Sequence, residues 1–256
     1  MSKYALITGT TSGIGKALAE KFAREKINLI LVSRDIKKLN QQADSLSNQY
    51  GIQVHVIPAD LAKAQTALMI YEKVKQLSIR VQYLVNNAGL NEWGNFLDTD
   101  FEKEIEMIKV HVIFTTEMMK LFIPDMVESK YGRVLNLGST GSHMPVPNDS
   151  VYAATKAYIL SVSKGIGAEL KGAGVTITTL CPGATRTEFA HKAGMEQTLL
   201  FRMFVMDSEI VANVGYKALM RGKTSVIAGI YNKLLVLTSK LLPDFILNPI
   251  TRIMLK

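Results

Sequence analysis

The chain has 256 residues, 48% of them hydrophobic and 20% charged, which predicts a single α/β domain with a well-buried core. Its formal net charge is +8, but the basic residues are dispersed among acids and form no cluster interleaved with aromatic residues, so nucleic-acid binding is not predicted. A phosphate-rich cofactor, an acidic substrate or an anionic membrane surface is compatible with this charge.

The single cysteine, Cys181, excludes an internal disulfide and favours a reducing, cytoplasmic location. It lies at the end of an apolar strand, which is typical of a buried, unreactive thiol. The first strand begins at residue 3, so no signal peptide is predicted, and no apolar stretch is long enough to span a bilayer.

Short apolar runs alternate with segments of helical period along the chain. The predicted strands span 3–8, 28–33, 53–58, 82–87, 133–138, 175–181 and 225–228. The predicted helices span about 14–25, 36–48, 63–77, 101–128, 150–170 and 208–221. Strands that alternate with helices form βαβ units with right-handed crossovers. The sequence therefore predicts a doubly wound, mainly parallel sheet of seven strands with helices on both faces.

The first strand runs into a glycine-rich loop, and a helix follows it. Gly9 allows a tight exit from the strand, Gly13 lets the backbone approach a pyrophosphate, and Gly15 allows close packing of helix on strand. The helix N-terminus offers free N–H groups to phosphates. The candidate cofactor residues of this loop are Gly9, Thr11, Ser12, Gly13, Ile14 and Gly15. A glycine-rich turn without a ligand is the alternative.

The end of the second strand carries Ser33 and Arg34. An acidic residue in the place of Ser33 would bind the ribose 2′-hydroxyl of NAD and repel a 2′-phosphate. Arg34 instead offers a forked cation that matches phosphate oxygens. These residues favour NADP(H) over NAD(H). The alternative is that Arg34 only pairs with Asp35 or opens the next helix.

Tyr152 and Lys156 lie four residues apart in a predicted helix. Positions i and i+4 share one helix face, so the ammonium group can stand beside the phenol, whose pKa is ordinarily ~10. A cation about 4 Å away at an effective dielectric of ~20 contributes roughly 4 kcal/mol, enough to lower the phenol pKa by up to about three units. The pair is therefore a candidate acid–base group. Alone, this spacing more often means a core aromatic beside a solvated lysine.

These motifs occur together with two others: Asn86-Asn-Ala-Gly89 after the fourth strand, and Ser139 thirteen residues before Tyr152. In this combination the sequence resembles the short-chain dehydrogenase/reductase family, in its single-domain branch, over roughly residues 3–230. The resemblance implies a Rossmann-type fold, a nicotinamide dinucleotide and oxidoreduction between alcohol and carbonyl.

The resemblance assigns further cofactor contacts to three segments. Asp60 and Leu61, after the third strand, would lie beside the adenine ring. The turn after the fourth strand would line the adenosine side, and Pro182-Gly-Ala-Thr-Arg-Thr187 resembles the family's PG-x-x-x-T segment, which meets the nicotinamide. The residues implied in these last two segments are Asn87, Ala88, Gly89, Pro182, Gly183, Thr185 and Thr187.

The resemblance also implies a catalytic set. Ser139 would hydrogen-bond the substrate oxygen, with Ser142, further into the loop, as a weaker candidate. Tyr152 would exchange a proton with that oxygen. Lys156 would lower the phenol pKa and hold the nicotinamide ribose. Tyr152 and Lys156 are therefore also implied to contact the cofactor.

The family's fourth catalytic residue is an asparagine in the long helix before the fifth strand, and His111 occupies that place. The asparagine supports a helix kink whose carbonyl anchors a water leading to the lysine. A histidine can donate one comparable hydrogen bond, and its charge can vary near neutrality. We expect His111 to permit catalysis but to change its pH profile; a histidine with a purely structural role is the alternative.

Two segments bear on the substrate. Residues 188–206, implied by the family to be a mobile lid, carry the apolar residues Leu199, Leu200, Phe201, Met203, Phe204 and Met206. They suit a lipophilic ketone, acyl chain or polycycle, although a lid packed on its own core or on a partner would look the same. Residues 230–256 form an apolar, basic extension of the 1–229 catalytic domain. That extension suits a peripheral membrane contact, a cover for the substrate cleft or a dimer contact.

The sequence thus predicts an NADP(H)-dependent oxidoreductase that acts on a small-molecule, lipophilic carbonyl or alcohol. The family implies a homodimer or homotetramer through the helices 101–128 and 150–170. No metal is predicted, because His55, His143 and His191 lack the spacing of metal ligands. The competing hypothesis is a non-catalytic dinucleotide-binding sensor or scaffold of the same fold.

Overall fold

The structure is a computed structural model that describes residues 3–187 and 205–243, together with residues 245 and 249. Its strands form one parallel sheet in the order β3-β2-β1-β4-β5-β6-β7. They are β1 Tyr4–Thr8, β2 Asn28–Ser33, β3 Val54–Pro58, β4 Tyr83–Asn86, β5 Gly132–Leu137, β6 Val175–Cys181 and β7 Ser225–Ile227. The predicted doubly wound, seven-stranded Rossmann-type fold is confirmed.

Helices cover both faces of this sheet. They are α1 Gly13–Arg24, α2 Ile36–Tyr50, α3 Thr66–Gln76, α4 Phe101–Ile108, α5 Thr115–Glu128, α6 Ser150–Glu169, α7 Ser208–Met220 and α8 Ile230–Leu241. A π-helical segment, Lys109–Phe114, joins α4 to α5, and a 3₁₀ turn, Thr140–His143, precedes α6. In the described residues, no helix is both long and apolar enough to cross a membrane.

The central strands are apolar on both faces because each face is covered by helices. In β1, Leu6 packs into the core layer that includes α3 and α5, whereas Ile7 packs into the layer that includes α1, α2 and α7. In β2, Ile30 and Leu31 divide between the same two layers. This period-2 alternation explains why continuous apolar runs identified the strands so closely.

The strand order reverses between β1 and β4, since the chain crosses from β3 to the far side of β1. Connections on the two sides of such a switch point diverge and leave a crevice outside the carboxyl ends of the strands. The glycine loop follows β1 and Asn87 follows β4. The topology therefore brings the two segments to one crevice.

Candidate active site

The crevice is a cavity of about 340 Å³. Every predicted cofactor residue lines it, as do Ser139, Tyr152 and Lys156, whereas His111 does not. The predicted residues brought together here are Gly9, Thr11, Ser12, Gly13, Ile14, Gly15, Ser33, Arg34, Asp60, Leu61, Asn87, Ala88, Gly89, Ser139, Tyr152, Lys156, Pro182, Gly183, Thr185 and Thr187. Residues from both the glycine loop and α6 thus face one space.

The glycine loop is braced by Asn87 and Thr8. The Asn87 side chain donates to the carbonyl oxygens of Thr8 at 2.9 Å and of Gly9 at 3.0 Å. The buried Thr8 hydroxyl accepts from the N–H groups of Asn87 and Ala88, each at 3.1 Å. A Cβ at Gly15 would lie 2.1 Å from the Gly9 carbonyl oxygen and 2.3 Å from Asn87 Nδ2. Gly15 is therefore required for this close approach of helix to loop.

The features of the loop fit a dinucleotide. Gly9 and Gly13 have φ angles of +69° and +54°, in the left-handed region that favours glycine. Ser12, at the N-terminus of α1, makes no side-chain cap, and the first turn of α1 contains no acid. The first backbone N–H groups of α1 and the positive end of its dipole are therefore available to phosphate oxygens.

Lys156 is held inside the cavity by β5. Its side chain is buried, and Nζ donates to the carbonyl oxygen of Leu137 at 3.0 Å and lies 5.4 Å from the centre of the Tyr152 ring. Burial lowers the pKa of the ammonium group to about 7, against the raising effects of Cys181 and Asp149. The predicted proximity of lysine and tyrosine is therefore observed, with the ammonium over the ring.

The prediction that Lys156 lowers the pKa of the Tyr152 phenol is wrong for the protein without a cofactor. Burial raises the pKa of the phenol and Asp149 raises it further, while a hydrogen bond with Ser139 lowers it. Lys156 does not offset these effects, because burial also lowers the pKa of its ammonium group. Ser139 and Tyr152 nevertheless line the same cavity, and the serine is close enough to act on the pKa of the phenol.

Ser139 and Ser142 hold different places. Ser139 caps the 3₁₀ turn, and its hydroxyl accepts from the N–H of Gly141 at 3.1 Å. Ser142 Oγ accepts from the N–H of Ser139 at 3.0 Å, and Ser142 does not line the cavity. This reciprocal pair is a capping box. The geometry favours Ser139 as the serine that faces a substrate.

Comparison with known proteins decides the family. The family model for short chain dehydrogenases matches residues 3–198. This chain belongs to the short-chain dehydrogenase family. The match extends from β1 through β6, which is most of the Rossmann-type sheet described above.

Among curated relatives of this short-chain dehydrogenase, the uncharacterized oxidoreductase YvrD of Bacillus subtilis is 36% identical over 186 residues, covering 73% of this chain and 70% of that protein. The very-long-chain 3-oxoacyl-CoA reductase of Anas platyrhynchos is 32% identical over 198 residues, covering 74% of this chain but 62% of that protein. The alignment thus spans less than two thirds of the longer reductase.

Two solved structures show the same fold. A short-chain dehydrogenase from Sphingobium yanoikuyae in complex with NADPH has a TM-score of 0.81 at 29% identity, over 93% of this chain and 94% of that one. A family member from Burkholderia phymatum in complex with NAD has a TM-score of 0.84 at 21% identity, over 96% and 95%. Members of this fold therefore bind either dinucleotide, and the family binds NAD(P)(H).

His111 is a departure from the family's asparagine, and the structure shows how the short-chain dehydrogenase accommodates it. The ring is buried in the π-helical segment, and Nε2 accepts from the N–H of Leu90 at 3.2 Å. The proton therefore lies on Nδ1, which donates to the Thr155 hydroxyl at 2.9 Å. That hydroxyl donates to the carbonyl oxygen of Tyr152 at 2.7 Å. His111 thus ties α6 to the turn after β4.

The expectation that the charge of His111 varies near neutrality is wrong. Burial lowers the pKa of the imidazole well below its ordinary value, and the Lys156 ammonium lowers it further. The ring stays neutral because a proton on Nε2 would have no acceptor at the Leu90 N–H. The ring packs edge-on against Tyr152, with centroids 5.7 Å apart, so its contact with the catalytic set is through packing.

Arg34 stands at the rim of the cavity, with its side chain 72% exposed. Its guanidinium lies 3.5 Å from Glu106 of α4, while Asp35 caps α2 by accepting from the N–H of Lys38 at 3.1 Å. The alternative Arg34–Asp35 pair is therefore not the one formed. The hydroxyls of Thr11 and Ser33 lie 3.2 Å apart beside this cation.

The segment after β6 is fixed against the rest of the site. The N–H of Thr140 donates to the Pro182 carbonyl oxygen at 2.8 Å, and the Thr185 hydroxyl donates to the Gly183 carbonyl oxygen at 3.0 Å. A Cβ at Gly183 would lie 2.2 Å from the Asn232 side chain of α8. The helix α8 therefore packs on a turn that lines the cavity.

The proposed lid falls largely outside the described residues, which include only 205 and 206 of its span. Met206 pairs with the turn after β6: its N–H donates to Ala184 and its carbonyl oxygen accepts from Arg186, both at 2.9 Å. The described part of the chain contains no cluster of histidine, cysteine or acidic residues suited to a metal. Cys181 is a free, buried thiol, as predicted.

Several cavity residues were not predicted as site residues. Those of greatest chemical interest are Asn91, Glu106 and Asp149, and the apolar ones are Leu90, Val110, Met144, Val146 and Leu235. They come from loops, the π-helical segment, α4 and α8, where no motif marks them. Only the tertiary structure brings them to the site.

Proposed function

We propose that this short-chain dehydrogenase transfers a hydride between NADP(H) and the carbonyl or alcohol carbon of a lipophilic small molecule, with reduction as the working direction. The observation that carries this proposal is the convergence of Ser139, Tyr152 and Lys156 in the cavity that the glycine loop also lines. A bound NADP(H) would supply or accept the hydride.

In the reductive direction the carbonyl carbon gains a hydride and its oxygen gains a proton. Tyr152 would donate that proton from its hydroxyl, while Ser139 would hold the oxygen by a hydrogen bond. Lys156, anchored on the Leu137 carbonyl, would stabilise the phenolate left behind. The raised pKa of the phenol keeps Tyr152 protonated before the reaction, as an acid requires.

For the cofactor, the glycine loop and the N-terminus of α1 would hold the pyrophosphate. Arg34, Ser33 and Thr11 would receive the adenosine 2′-phosphate, which supports NADP(H) over NAD(H). Lys156 and Thr187 would lie on the nicotinamide side. The NADPH complex of the Sphingobium yanoikuyae relative supports the same choice.

For the substrate, the apolar lining supports a lipophilic compound. Leu90, Val146 and Met144 face the cavity together with Leu235 of α8. A flexible thioether adapts to varied apolar shapes. The reductase of Anas platyrhynchos, named for very-long-chain 3-oxoacyl-CoA, supports this class of substrate by analogy.

The test is an NADPH-oxidation screen over ketones, aldehydes and quinones, with Tyr152→Phe beside the wild type. Loss of a general acid should lower kcat by about 10²–10⁴-fold. NADPH binding, measured by fluorescence, should persist. Tyr158→Phe is the matched control, because Tyr158 lies on the same helix but bonds Thr116 on the exposed side. Binding without turnover in the wild type would instead support a sensor or scaffold.

The α8 helix supports a peripheral membrane contact. Its buried face is small and mixed, formed by Asn232, Val236 and Ser239, whereas its outward face is apolar. The exposed apolar residues of this helix are Ile230, Tyr231, Leu234, Leu237 and Leu241, flanked by Lys233 and Lys240. An apolar face with basic flanks suits an anionic lipid surface.

Flotation with vesicles tests this contact. The wild type should float with phosphatidylglycerol–phosphatidylcholine vesicles, and the Leu234→Gln/Leu237→Gln variant should not. Leu68→Gln/Leu77→Gln is the matched control, since both leucines are exposed elsewhere. Equal flotation of both variants, or none by the wild type, would refute the contact. The cytoplasmic location, the homodimer or homotetramer and the division at residue 229 stay predictions.

A further inference from the structure

Asp149 precedes α6 at the position where an aspartate ordinarily caps a helix, but it makes no cap. The other aspartates in this position do cap their helices. Asp35 accepts from the N–H of Lys38, Asp100 from that of Glu102 and Asp207 from that of Glu209. Asp149 therefore has its side chain directed away from the backbone that it could stabilise.

The Asp149 side chain is instead part of the cavity wall. It is 6% exposed and lines the same space as Tyr152 and Lys156. Asn91, in the loop after β4, hydrogen-bonds this carboxyl group. The Asp149 Oδ1 atom is buried and has no hydrogen-bond partner among the residues that the structure describes. The acid is thus held from one side and offers one oxygen to the cavity.

This arrangement is unfavourable for the protein alone. A buried polar group without its hydrogen bond costs about 1–3 kcal/mol. Burial raises the pKa of the Asp149 carboxyl to about 7, although Asn91 and Lys156 both act to lower it. Residues that oppose stability in this way cluster where a ligand completes them.

Position and charge define the missing partner. Tyr152 follows Asp149 by three residues, so the two side chains share one helix face near the reacting atoms. An ionised carboxylate only accepts hydrogen bonds, so above the Asp149 pKa of about 7 the partner must be a donor. Lys156 already supplies the cation of this region, which favours a neutral hydroxyl over a second ammonium group.

We propose that Asp149, held by Asn91, binds substrate by accepting a hydrogen bond from a hydroxyl group one or two carbons from the reacting carbonyl. The preferred substrates are then hydroxy ketones whose remaining part is apolar. This inference rests on the proposed oxidoreductase function and narrows its substrate class.

The test compares isosteric pairs of ketones. In 2-hydroxyacetophenone and propiophenone a hydroxyl and a methyl occupy the same place, and 3-hydroxypropiophenone and butyrophenone form the pair one carbon longer. The wild type should favour the hydroxylated member of at least one pair by about tenfold or more in kcat/KM, since a site built for a hydroxyl discriminates strongly against its absence. In Asp149→Leu this ratio should fall to about one; the ratio is the readout, because Asp149 also raises the pKa of Tyr152 and so acts on the rate with either ketone.

Thermal unfolding at pH 8 gives a second readout. Asp149→Ala should be at least as stable as the wild type, because the folded-state pKa lies above its ordinary value and ionisation at this pH opposes folding. Asp207→Ala, which removes a working cap, should be about 1 kcal/mol less stable. Where the leucine variant fails to fold, the alanine variant provides the ratio.

The outcomes separate the two proposals. Turnover of the ketones without a preference for hydroxyl, or a preference unchanged in both Asp149 variants, overturns this inference and leaves the oxidoreductase intact. Failure to reduce any carbonyl overturns the proposed function, and this inference with it. A preference lost in the variants, together with undiminished stability, establishes Asp149 as a substrate-binding residue.

Discussion

The two halves of the cavity are built in different ways. The nucleotide half, around the glycine loop and Asn87, is held mainly by backbone atoms: Thr8 and Gly9 carbonyls accept from one side chain, and Gly15 admits no Cβ. The substrate half, around Asp149 and Leu235, is formed by side chains that come from the loops, α6 and α8. The first half is fixed by local conformation, and the second by how distant elements pack.

This difference indicates where variation is tolerated. A backbone cradle depends on glycine and on a few hydrogen bonds, so most substitutions there disrupt it. A wall of side chains can change its chemistry one residue at a time while the backbone stays in place. We therefore expect mutations in the nucleotide half to remove binding and those in the substrate half to alter selectivity.

The largest effect should follow from Gly15→Ala, which breaks the nucleotide half. The new Cβ would meet the Gly9 carbonyl oxygen and Asn87 Nδ2 at well under contact distance. Overpacking of this kind costs about 1–3 kcal/mol of unfolding free energy and should abolish NADPH binding, measured by fluorescence titration. Gly165→Ala is the control: no atom lies within 4 Å of its Cβ, and alanine in α6 should add about 0.5–1 kcal/mol. Tight NADPH binding by the Gly15 variant would contradict the close packing described.

A smaller effect should follow at the edge of the nucleotide half. Arg34→Ala should weaken NADPH binding by about tenfold or more, because a charge-assisted hydrogen bond is worth roughly 1.5–3 kcal/mol, and should leave NADH binding unchanged. Glu106→Gln should strengthen NADPH binding a few-fold, since it frees the guanidinium from its partner. Dissociation constants for both cofactors measure these changes; equal values in the wild type would reject the choice of NADP(H).

The smallest effect on activity should come from His111→Asn, because His111 does not line the cavity. Because the pKa of this buried imidazole is well below its ordinary value, the folded protein binds fewer protons than the unfolded chain below about pH 6.5. The wild type should therefore lose stability as the pH falls from 7 to 5, and His111→Asn should lose less. Urea unfolding at pH 7.5 and 5.5 measures this loss of stability. The pKa of His143 is also lowered, but His143 is present in both proteins, so the difference between them reports His111.

The pH–rate curves of the same two proteins provide the catalytic comparison. They should superimpose between pH 6 and 9, because the His111 ring is neutral throughout. A shifted acidic limb in the wild type would show that the imidazole titrates during turnover and that the buried, single-tautomer description is wrong.

The sequence predicted the strands because their side chains alternate between two buried layers, a pattern that is local. It predicted the glycine loop and the Ser139–Tyr152–Lys156 set for the same reason, since each is a motif of fixed spacing. The predicted helix 101–128 contains a π-helical segment, in which His111 contacts Leu90 and Thr155. Such long-range contacts leave no periodic signal.

The pKa of Tyr152 and the role of Asp149 could not be predicted from the sequence for a related reason. A spacing of four residues places Lys156 near the phenol, but only the folded structure shows that burial acts on the pKa of both groups. Burial reversed the predicted direction of the phenol pKa. Asp149 resembles an ordinary helix cap in the sequence, and its orientation toward the cavity depends on Asn91, 58 positions earlier.

The position of Cys181 has a practical use. The thiol is buried under the loop after β5, and burial raises its pKa to about 11, so little thiolate exists at neutral pH. It is the sole cysteine of the chain. A cysteine introduced on the outward face of α8 should therefore react selectively with maleimide dyes, and a fluorophore placed there would report lipid contact without removal of the native sulfur.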